Sequence, residues 1–175
     1  MTRATSDMMI ANAKLRNPSS HDRTAEFIDR FGWKLCGVHG DDDHFPFIYT
    51  VGNYQCGLPE LLAINCVNGH LVNSLCEIMR KRKGPFRDGE LIKTRYHEYP
   101  LKALNTNDDA RKYAWQVDAY YGTDDYAVQQ IVIPDSVGRF PGDPRCDVPH
   151  CLVPILRGKC KLRLDGLLDF ARIEK

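Results

Sequence analysis

Two short segments that are mostly apolar on both faces constrain the fold more than any other feature of the sequence. They span residues 61–66 and residues 128–133, and each is followed by a turn-forming pair, Asn68-Gly69 and Pro134-Asp135 respectively. A strand this short with apolar residues on both sides is typical of the interior of a sheet that is covered on both faces. The sequence therefore predicts a sheet with further layers packed against it.

The remaining periodic segments predict a single α+β domain with a mostly antiparallel or mixed sheet and three or so helices. A first helix begins at Ser20 and ends at Gly32, and a second carries an apolar stripe from Leu71 to Met79 and ends in a left-handed cap at Gly84-Pro85. A third helix is predicted over residues 107–121, and further strands over residues 33–38, 45–51, 91–99 and 152–156, with a short amphipathic end at 162–170. We expect residues 1–19 to form a flexible N-terminal arm before a domain of residues 20–175.

The strand predicted over residues 45–51 contains a proline, which limits where the strand can pair. Pro46 has no amide proton, so the strand over residues 45–51 is expected at an edge of the sheet, or paired fully only after that proline. Its expected partner is the segment over residues 33–38.

Charge and cysteine usage exclude some classes of function and indicate a compartment. The chain has 24 Lys+Arg against 23 Asp+Glu, a balance that gives no sign of an extended nucleic-acid surface. No apolar run approaches the length of about 20 residues that spans a bilayer, and the polar N-terminus lacks a secretory signal, so we expect a cytoplasmic protein. Its 7 cysteines are odd in number and scattered, which is typical of reduced thiols.

A series of sequence blocks occurs along the chain in a characteristic order. The blocks are Gly32-Trp33, Phe47-Ile48-Tyr49-Thr50-Val51-Gly52, Leu58-Pro59-Glu60-Leu61, Tyr120-Tyr121-Gly122, Gln130 and Pro134-Asp135-Ser136-Val137-Gly138-Arg139-Phe140-Pro141. Together they resemble a bacterial family, the domain-of-unknown-function family 4262, over about residues 32–141. The resemblance implies a shared fold and no known activity. Asn53 and Gly142 depart from the family pattern, and we expect them to alter a pocket rim.

The loop after the strand over residues 128–133 contains the sharpest candidate binding residue, Arg139. Its guanidinium suits phosphate or carboxylate, Gly138 beside it allows close backbone approach, and loops after strand ends commonly hold ligands. The alternative is that Arg139 pairs with Asp135 and only fixes the turn. Asp135, Gly138 and Arg139 are therefore predicted ligand-binding residues.

Polar groups on two strands extend this hypothesis. Tyr49, Thr50 and Gly52 offer hydroxyls and exposed backbone at a strand exit, although Tyr49 shares a face with apolar residues and a structural role is the alternative. Gln130 needs a partner in a mostly apolar strand, which is either a ligand or backbone. His97 beside Glu98 is a candidate base. We assign Tyr49 and His97 as catalytic candidates, and Thr50, Gly52 and Gln130 as ligand-binding candidates.

No metal or cofactor is predicted. Cys146, His150 and Cys151 do not fit a zinc ligand spacing, and Asp41-Asp42-Asp43-His44 lacks the pattern of a calcium loop. Phosphate-loop, dinucleotide and nucleophile-elbow motifs are absent, so the sequence assigns no reaction and leaves open whether the protein is an enzyme.

Two hypotheses about function remain. One is a small domain that binds a small anionic nucleotide-like or carboxylate ligand, with or without hydrolysing it. The other is a protein-interaction module of inhibitor or immunity type. A binding site should gather Tyr49, Thr50, Gln130 and Arg139 around one pocket, whereas an interaction module should scatter them. Oligomerisation is compatible with both.

Overall fold

A six-stranded mixed sheet organises the chain, with the strand order β1-β2-β3-β6-β5-β4. The computed structural model describes residues 18–41 and 44–157. Strands β3 and β6 run parallel, whereas the other neighbouring strands are antiparallel. The strands are β1 (Lys34–Val38), β2 (Phe47–Val51), β3 (Glu60–Ile64), β4 (Leu91–Ile92), β5 (Leu101–Asn105) and β6 (Val128–Val132). Three α-helices accompany them: α1 (Pro18–Phe31), α2 (Gly69–Arg82) and α3 (Trp115–Tyr121). The predicted α+β class is confirmed.

Every residue of β3 and β6 is buried, because these two strands lie at the centre of the sheet and both faces are covered. The prediction for the two apolar segments is therefore confirmed. The predicted pairing of the first two strands is also confirmed, with Cys36 opposite Tyr49. Strand β2 lies inside the sheet and begins at Phe47, immediately after Pro46, so its pairing starts where the backbone regains its amide protons.

Helix α2 covers one face of the sheet. Its buried residues Leu71, Leu75 and Met79 pack on strand residues that include Leu61 and Ile131. Asn68 caps the helix, since its side chain accepts a hydrogen bond from the amide of Leu71. The predicted left-handed residue at the other end is wrong by one position: Lys83, with φ 55°, adopts this conformation so that the amide of Gly84 reaches the carbonyl of Met79.

The opposite face is covered by α3, by Ile28 of α1 and by the C-terminal segment that contains Val153. These residues form a second core with the strand residues Tyr49 and Leu62. Each face of the sheet therefore has its own hydrophobic core, and a residue's position along a strand decides which core it joins. No helix in residues 18–41 or 44–157 has the length and apolar character needed to cross a membrane.

Three element predictions are wrong in detail. The strand predicted over residues 91–99 is only the two-residue edge strand β4, and the well-paired strand is β5, whose Lys102 lies opposite Val132. The helix predicted over residues 107–121 splits into a 3-10 segment, Asp108–Lys112, and α3. Ala110 of the 3-10 segment and Ala114, immediately before α3, are both buried in the second core.

The last strand prediction, over residues 152–156, fails because prolines interrupt its pairing. The described chain instead contains a 3-10 turn, His150–Leu152, and one isolated bridge between Arg157 and Thr106. Pro154 has no amide proton for a ladder. Helix α1 begins at Pro18, two residues before the predicted start, while the rest of the predicted N-terminal arm and the amphipathic end at 162–170 lie outside the described residues.

Candidate functional site

Strand directions divide the predicted site residues between opposite ends of the sheet. Strand β2 ends beside the start of β3, because the two strands are antiparallel. Strand β6 runs parallel to β3, so the loop after β6 emerges at the other end. Thr50 and Gly52 therefore lie at one end, and Asp135, Gly138 and Arg139 lie at the other.

Thr50 and Gly52 surround a buried carboxylate, that of Glu60, which the sequence analysis did not select. The Thr50 hydroxyl donates to Oε2 at 2.6 Å, while the amides of Gly52 and Tyr54 each donate to Oε1 at 3.0 Å. The hydroxyl of Tyr121 donates to the same Oε1 at 3.0 Å. Burial raises the pKa of Glu60, and these four hydrogen bonds oppose that effect by stabilising the anion.

The Glu60 cluster is closed to solvent. The Glu60 and Thr50 side chains are both 0% exposed. Its four donors come from β2, the following turn and α3, so the carboxylate joins three elements at this end of the sheet. Its hydrogen-bonding capacity is used internally, which is the arrangement of a structural joint rather than of an open binding site.

Arg80 of α2 fixes the chain next to this cluster. It donates to Asn53 Oδ1 at 3.1 Å and to the carbonyl of Gly32 at 2.6 Å, and its guanidinium lies 4.8 Å from the ring centroid of Trp33. Gly52 has φ 128°, and a Cβ there would lie 2.7 Å from the Gly32 carbonyl. Gly52 is thus required by backbone packing, and Asn53 is fully buried rather than on a pocket rim.

Tyr49 lies in the middle of β2, in the second core. Its side chain is 0% exposed, and its hydroxyl has no hydrogen-bond partner among the described residues. Burial raises the pKa of Tyr49, which favours the neutral phenol. A substrate has no solvent path to this hydroxyl in the conformation described here, so the geometry favours the structural alternative.

Gln130 and Gln129 are both buried and both bind backbone. Gln130 Nε2 donates to the carbonyl of Pro154 at 2.7 Å, and its Oε1 accepts the amide of Leu156 at 2.9 Å. Gln129 makes the equivalent pair of bonds with the backbone of Phe86 on the other side. Gln130 therefore holds the C-terminal segment against the sheet.

The loop after β6 is built around the buried carboxylate of Asp135. Its Oδ1 accepts the amides of Val137 and Arg139, at 3.0 and 2.8 Å, and its Oδ2 accepts Arg139 Nε at 2.9 Å and the amide of Asp147 at 3.1 Å. Burial alone would raise the pKa of Asp135, but the backbone hydrogen bonds from Arg139, Asp147 and Val137 and the guanidinium outweigh it and lower the pKa. The ion pair between Arg139 and Asp135 that would fix the turn is therefore present. Arg139 Nη2 also lies 3.3 Å from Oδ1 of the exposed Asp147.

Gly138 and His97 lie at the same end of the sheet as Arg139. Gly138 has φ 86°, and a Cβ there would lie 2.7 Å from the ring of Tyr99. His97 Nδ1 is 3.0 Å from the carbonyl oxygen of Tyr99. Tyr99 therefore connects the His97 turn to the loop after β6.

An open groove with a volume of about 630 Å³ lies next to this loop. Its lining combines three cations, one carboxylate, apolar side chains and two glycines: Lys102, Leu104, Val132, Gly138, Arg139, Phe140, Pro141, Gly142, Asp143, Ile155 and Arg157. Lys102 Nζ lies 4.0 Å from the ring centroid of Phe140. Among the described residues, neither Lys102 nor Arg157 forms an ion pair, in contrast to Arg139.

Tyr49, Thr50, Gln130 and Arg139 do not gather around this groove: of the predicted site residues, only Gly138 and Arg139 line it, and the Asp135 carboxylate holds their loop. Lys102 and Arg157 were not predicted from the sequence as site residues. Lys102 belongs to the strand that was predicted in the wrong place, and Arg157 follows the proline-rich segment whose path depends on Gln130. Gly142, one of the two departures from the family pattern, does lie in the groove wall.

The candidate metal ligands do not converge in the part of the chain that the structure describes. No group of three His, Cys, Asp or Glu residues there is arranged to hold a metal ion. Asp41 Oδ1 lies 2.9 Å from His44 Nδ1 in an exposed turn. Asp42 and Asp43 lie outside the described residues. The six described cysteines are all free: Cys36, Cys56, Cys66, Cys76, Cys146 and Cys151.

Comparison with protein-family models gives a match to the family described as "Domain of unknown function (DUF4262)", over residues 27–147. The chain belongs to this family. A search of curated proteins and a search of solved structures each gave no significant match. The DUF4262 segment contains the Glu60 cluster, the loop after β6 and Lys102, whereas Ile155 and Arg157 of the groove lie beyond its end.

Proposed function

We propose that this DUF4262 protein binds a small anionic molecule in the groove beside β5, β6 and the Arg139 loop. The observation that carries the proposal is the convergence of Lys102 and Arg157, two cations without carboxylate partners among the described residues, on one open groove. Cations that face a concave surface without internal partners attract anions from solvent.

The position of the groove supports the same proposal. It extends from β5 and β6 to the loop that follows the carboxyl end of β6, and loops on a rigid sheet commonly form ligand sites. The cation of Lys102 is held over the Phe140 ring, which limits its motion before a ligand arrives. Less side-chain freedom is then lost on binding.

The lining residues favour binding over hydrolysis. No hydroxyl, thiol or imidazole side chain is among the lining residues that the structure describes, and the carboxylate of Asp143 is held by Arg145 at 3.2 Å. We therefore propose a binding protein and include a cytoplasmic location in the proposal, which the free described thiols support.

Thermal unfolding in the presence of anions tests the proposed function. We expect phosphate, adenosine monophosphate or a carboxylate to raise the unfolding midpoint, by roughly 5–10 °C at a ligand concentration of about 100 Kd. Lys102→Met, which keeps the apolar stem but removes the charge, should abolish the shift. Lys81→Met, on the opposite face of the sheet, is the matched control and should retain it.

Two results would contradict the proposed function. One is that none of these anions stabilises the wild-type protein. The other is that Lys102→Met responds as the wild type does, which would place the anion elsewhere. Either result favours the alternative of an interaction module of inhibitor or immunity type.

A further inference from the structure

The charges around the groove nearly cancel. The groove and its immediate ion pairs contain four cations, Lys102, Arg139, Arg145 and Arg157, against three carboxylates, Asp135, Asp143 and Asp147, which leaves one positive charge. A ligand with one negative charge would neutralise this excess. A ligand with several charges would bring unpaired negative charge close to these carboxylates.

Part of the groove surface is apolar. Leu104 and Val132, 3% and 2% exposed, lie beneath the floor and expose little surface to a ligand, while Ile155, 37% exposed, lies at the rim. Phe140 adds an aromatic ring whose face lies against Lys102. A fully hydrated anion gains nothing from such surfaces, whereas an apolar group gains in proportion to the area that it removes from water.

The cations available to a ligand lie beside this apolar floor. Lys102 is on β5 two residues before Leu104, so both side chains project from the same face of the sheet. Arg157 follows Ile155 by two residues on the C-terminal segment, and its backbone forms a bridge with Thr106, two residues beyond Leu104. The groove therefore combines a charged region with an apolar one, and its volume of about 630 Å³ is typical of sites for organic molecules.

We propose that the ligand class is a monocarboxylate with an apolar body, aliphatic or aryl. This inference rests on the proposed function and makes it more specific. The carboxylate lies between Lys102 and Arg157, and the body covers the exposed side chain of Ile155 and the half-buried ring of Phe140. The pairing of charge with apolar area selects against inorganic phosphate and nucleoside phosphates.

Titration calorimetry with a series of probes tests the ligand class. We expect affinity to rise from acetate through butanoate and hexanoate to octanoate, by about fourfold for each methylene that becomes buried. 3-Phenylpropanoate should bind, and its neutral amide, 3-phenylpropanamide, should bind at least about tenfold more weakly. Adenosine monophosphate and phosphate should bind more weakly than octanoate.

Two variants separate the charged and apolar contributions. Lys102→Met should weaken acetate and octanoate by the same factor, because both share the carboxylate. Ile155→Ser should weaken octanoate by about tenfold and leave acetate unchanged. Val67→Ser, at another exposed apolar residue, is the control for the second variant, and circular dichroism and urea denaturation verify that each variant is folded.

The outcomes distinguish this inference from the proposed function. The ligand class is wrong if affinity is independent of chain length, or if adenosine monophosphate or phosphate binds better than octanoate. In either case the proposed anion groove stands, provided that Lys102→Met abolishes the binding that is observed. If Lys102→Met binds every probe as the wild type does, both proposals fail. If 3-phenylpropanoate and 3-phenylpropanamide bind equally, the carboxylate is not recognised and the inference is overturned.

Discussion

Glu60 shows how one buried carboxylate can hold several elements of a fold together. Four donors surround it, two backbone amides and the hydroxyls of Thr50 and Tyr121. An unpaired carboxylate at this depth would be strongly destabilising, so the residue is compatible with folding only because the donors are supplied together. The Leu-Pro-Glu-Leu and Tyr-Tyr-Gly blocks, distant in sequence, meet at this point.

Replacing Glu60 with glutamine should reveal this role. The amide oxygen of Glu60→Gln can take the place of Oε1, but its amino group then faces the Thr50 hydroxyl, and every remaining bond loses the charge of its acceptor. We expect the free energy of unfolding to fall by about 1–3 kcal/mol in urea denaturation. Glu77→Gln on the exposed side of α2 should change it by less than about 0.5 kcal/mol. Equal effects of the two substitutions would show that the carboxylate does not hold the joint.

At the scale of elements, the sequence correctly predicted those helices and strands whose form depends mainly on neighbouring residues. The apolar stripe of α2 and the two-sided burial of β3 and β6 depend on neighbours in the sequence, and the structure confirms them. Strand β5 was not predicted because its pairing with β6 depends on residues far along the chain. The C-terminal segment was misassigned because Pro154 cannot donate to a strand ladder and because the path of the segment is fixed by Gln130, which is distant in sequence.

The role of Gln130 in holding this segment can be tested by Gln130→Leu. The substitution preserves volume and burial but removes both bonds to the segment, at Pro154 and Leu156, so Arg157 and Ile155 lose their support. We expect the Leu156 amide to lose protection in hydrogen exchange, and the groove to bind its anion at least about tenfold more weakly. Gln55→Leu, at an exposed side chain, is the control. Unchanged protection of the Leu156 amide in a folded Gln130→Leu protein would show that other contacts hold the segment.

At the scale of the whole molecule, the sheet order explains why the candidate site could be predicted only in part. The parallel pairing of β3 with β6 brings together segments separated by α2, β4, β5 and α3. No pattern in either segment indicates this partner, or that Thr50 and Arg139 would lie at opposite ends. Sequence reasoning selected Arg139 by its chemistry, whereas Lys102 and Arg157 have no local motif and become candidates only through the arrangement of the sheet.

The response of the molecule to acid tests how strongly the loop after β6 contributes to global stability. The pKa of Asp135 is lower in the folded protein than its usual value of 3.8. The unfolded state therefore binds its proton at higher pH than the native state does, so the contribution of Asp135 is complete above about pH 5 and is lost as the pH falls toward the lower native pKa. We expect the free energy of unfolding to fall between about pH 4.5 and pH 2 in urea denaturation. Asp135→Asn should reduce this slope and should be less stable than the wild type at neutral pH.

The control is Asp88→Asn. The Asp88 carboxylate accepts the Asn105 amide at 2.8 Å in an exposed turn, and its replacement should largely preserve the slope. Identical acid profiles for the wild type and Asp135→Asn would mean that the loop opens before the protein unfolds and that the groove wall is not part of the cooperative fold.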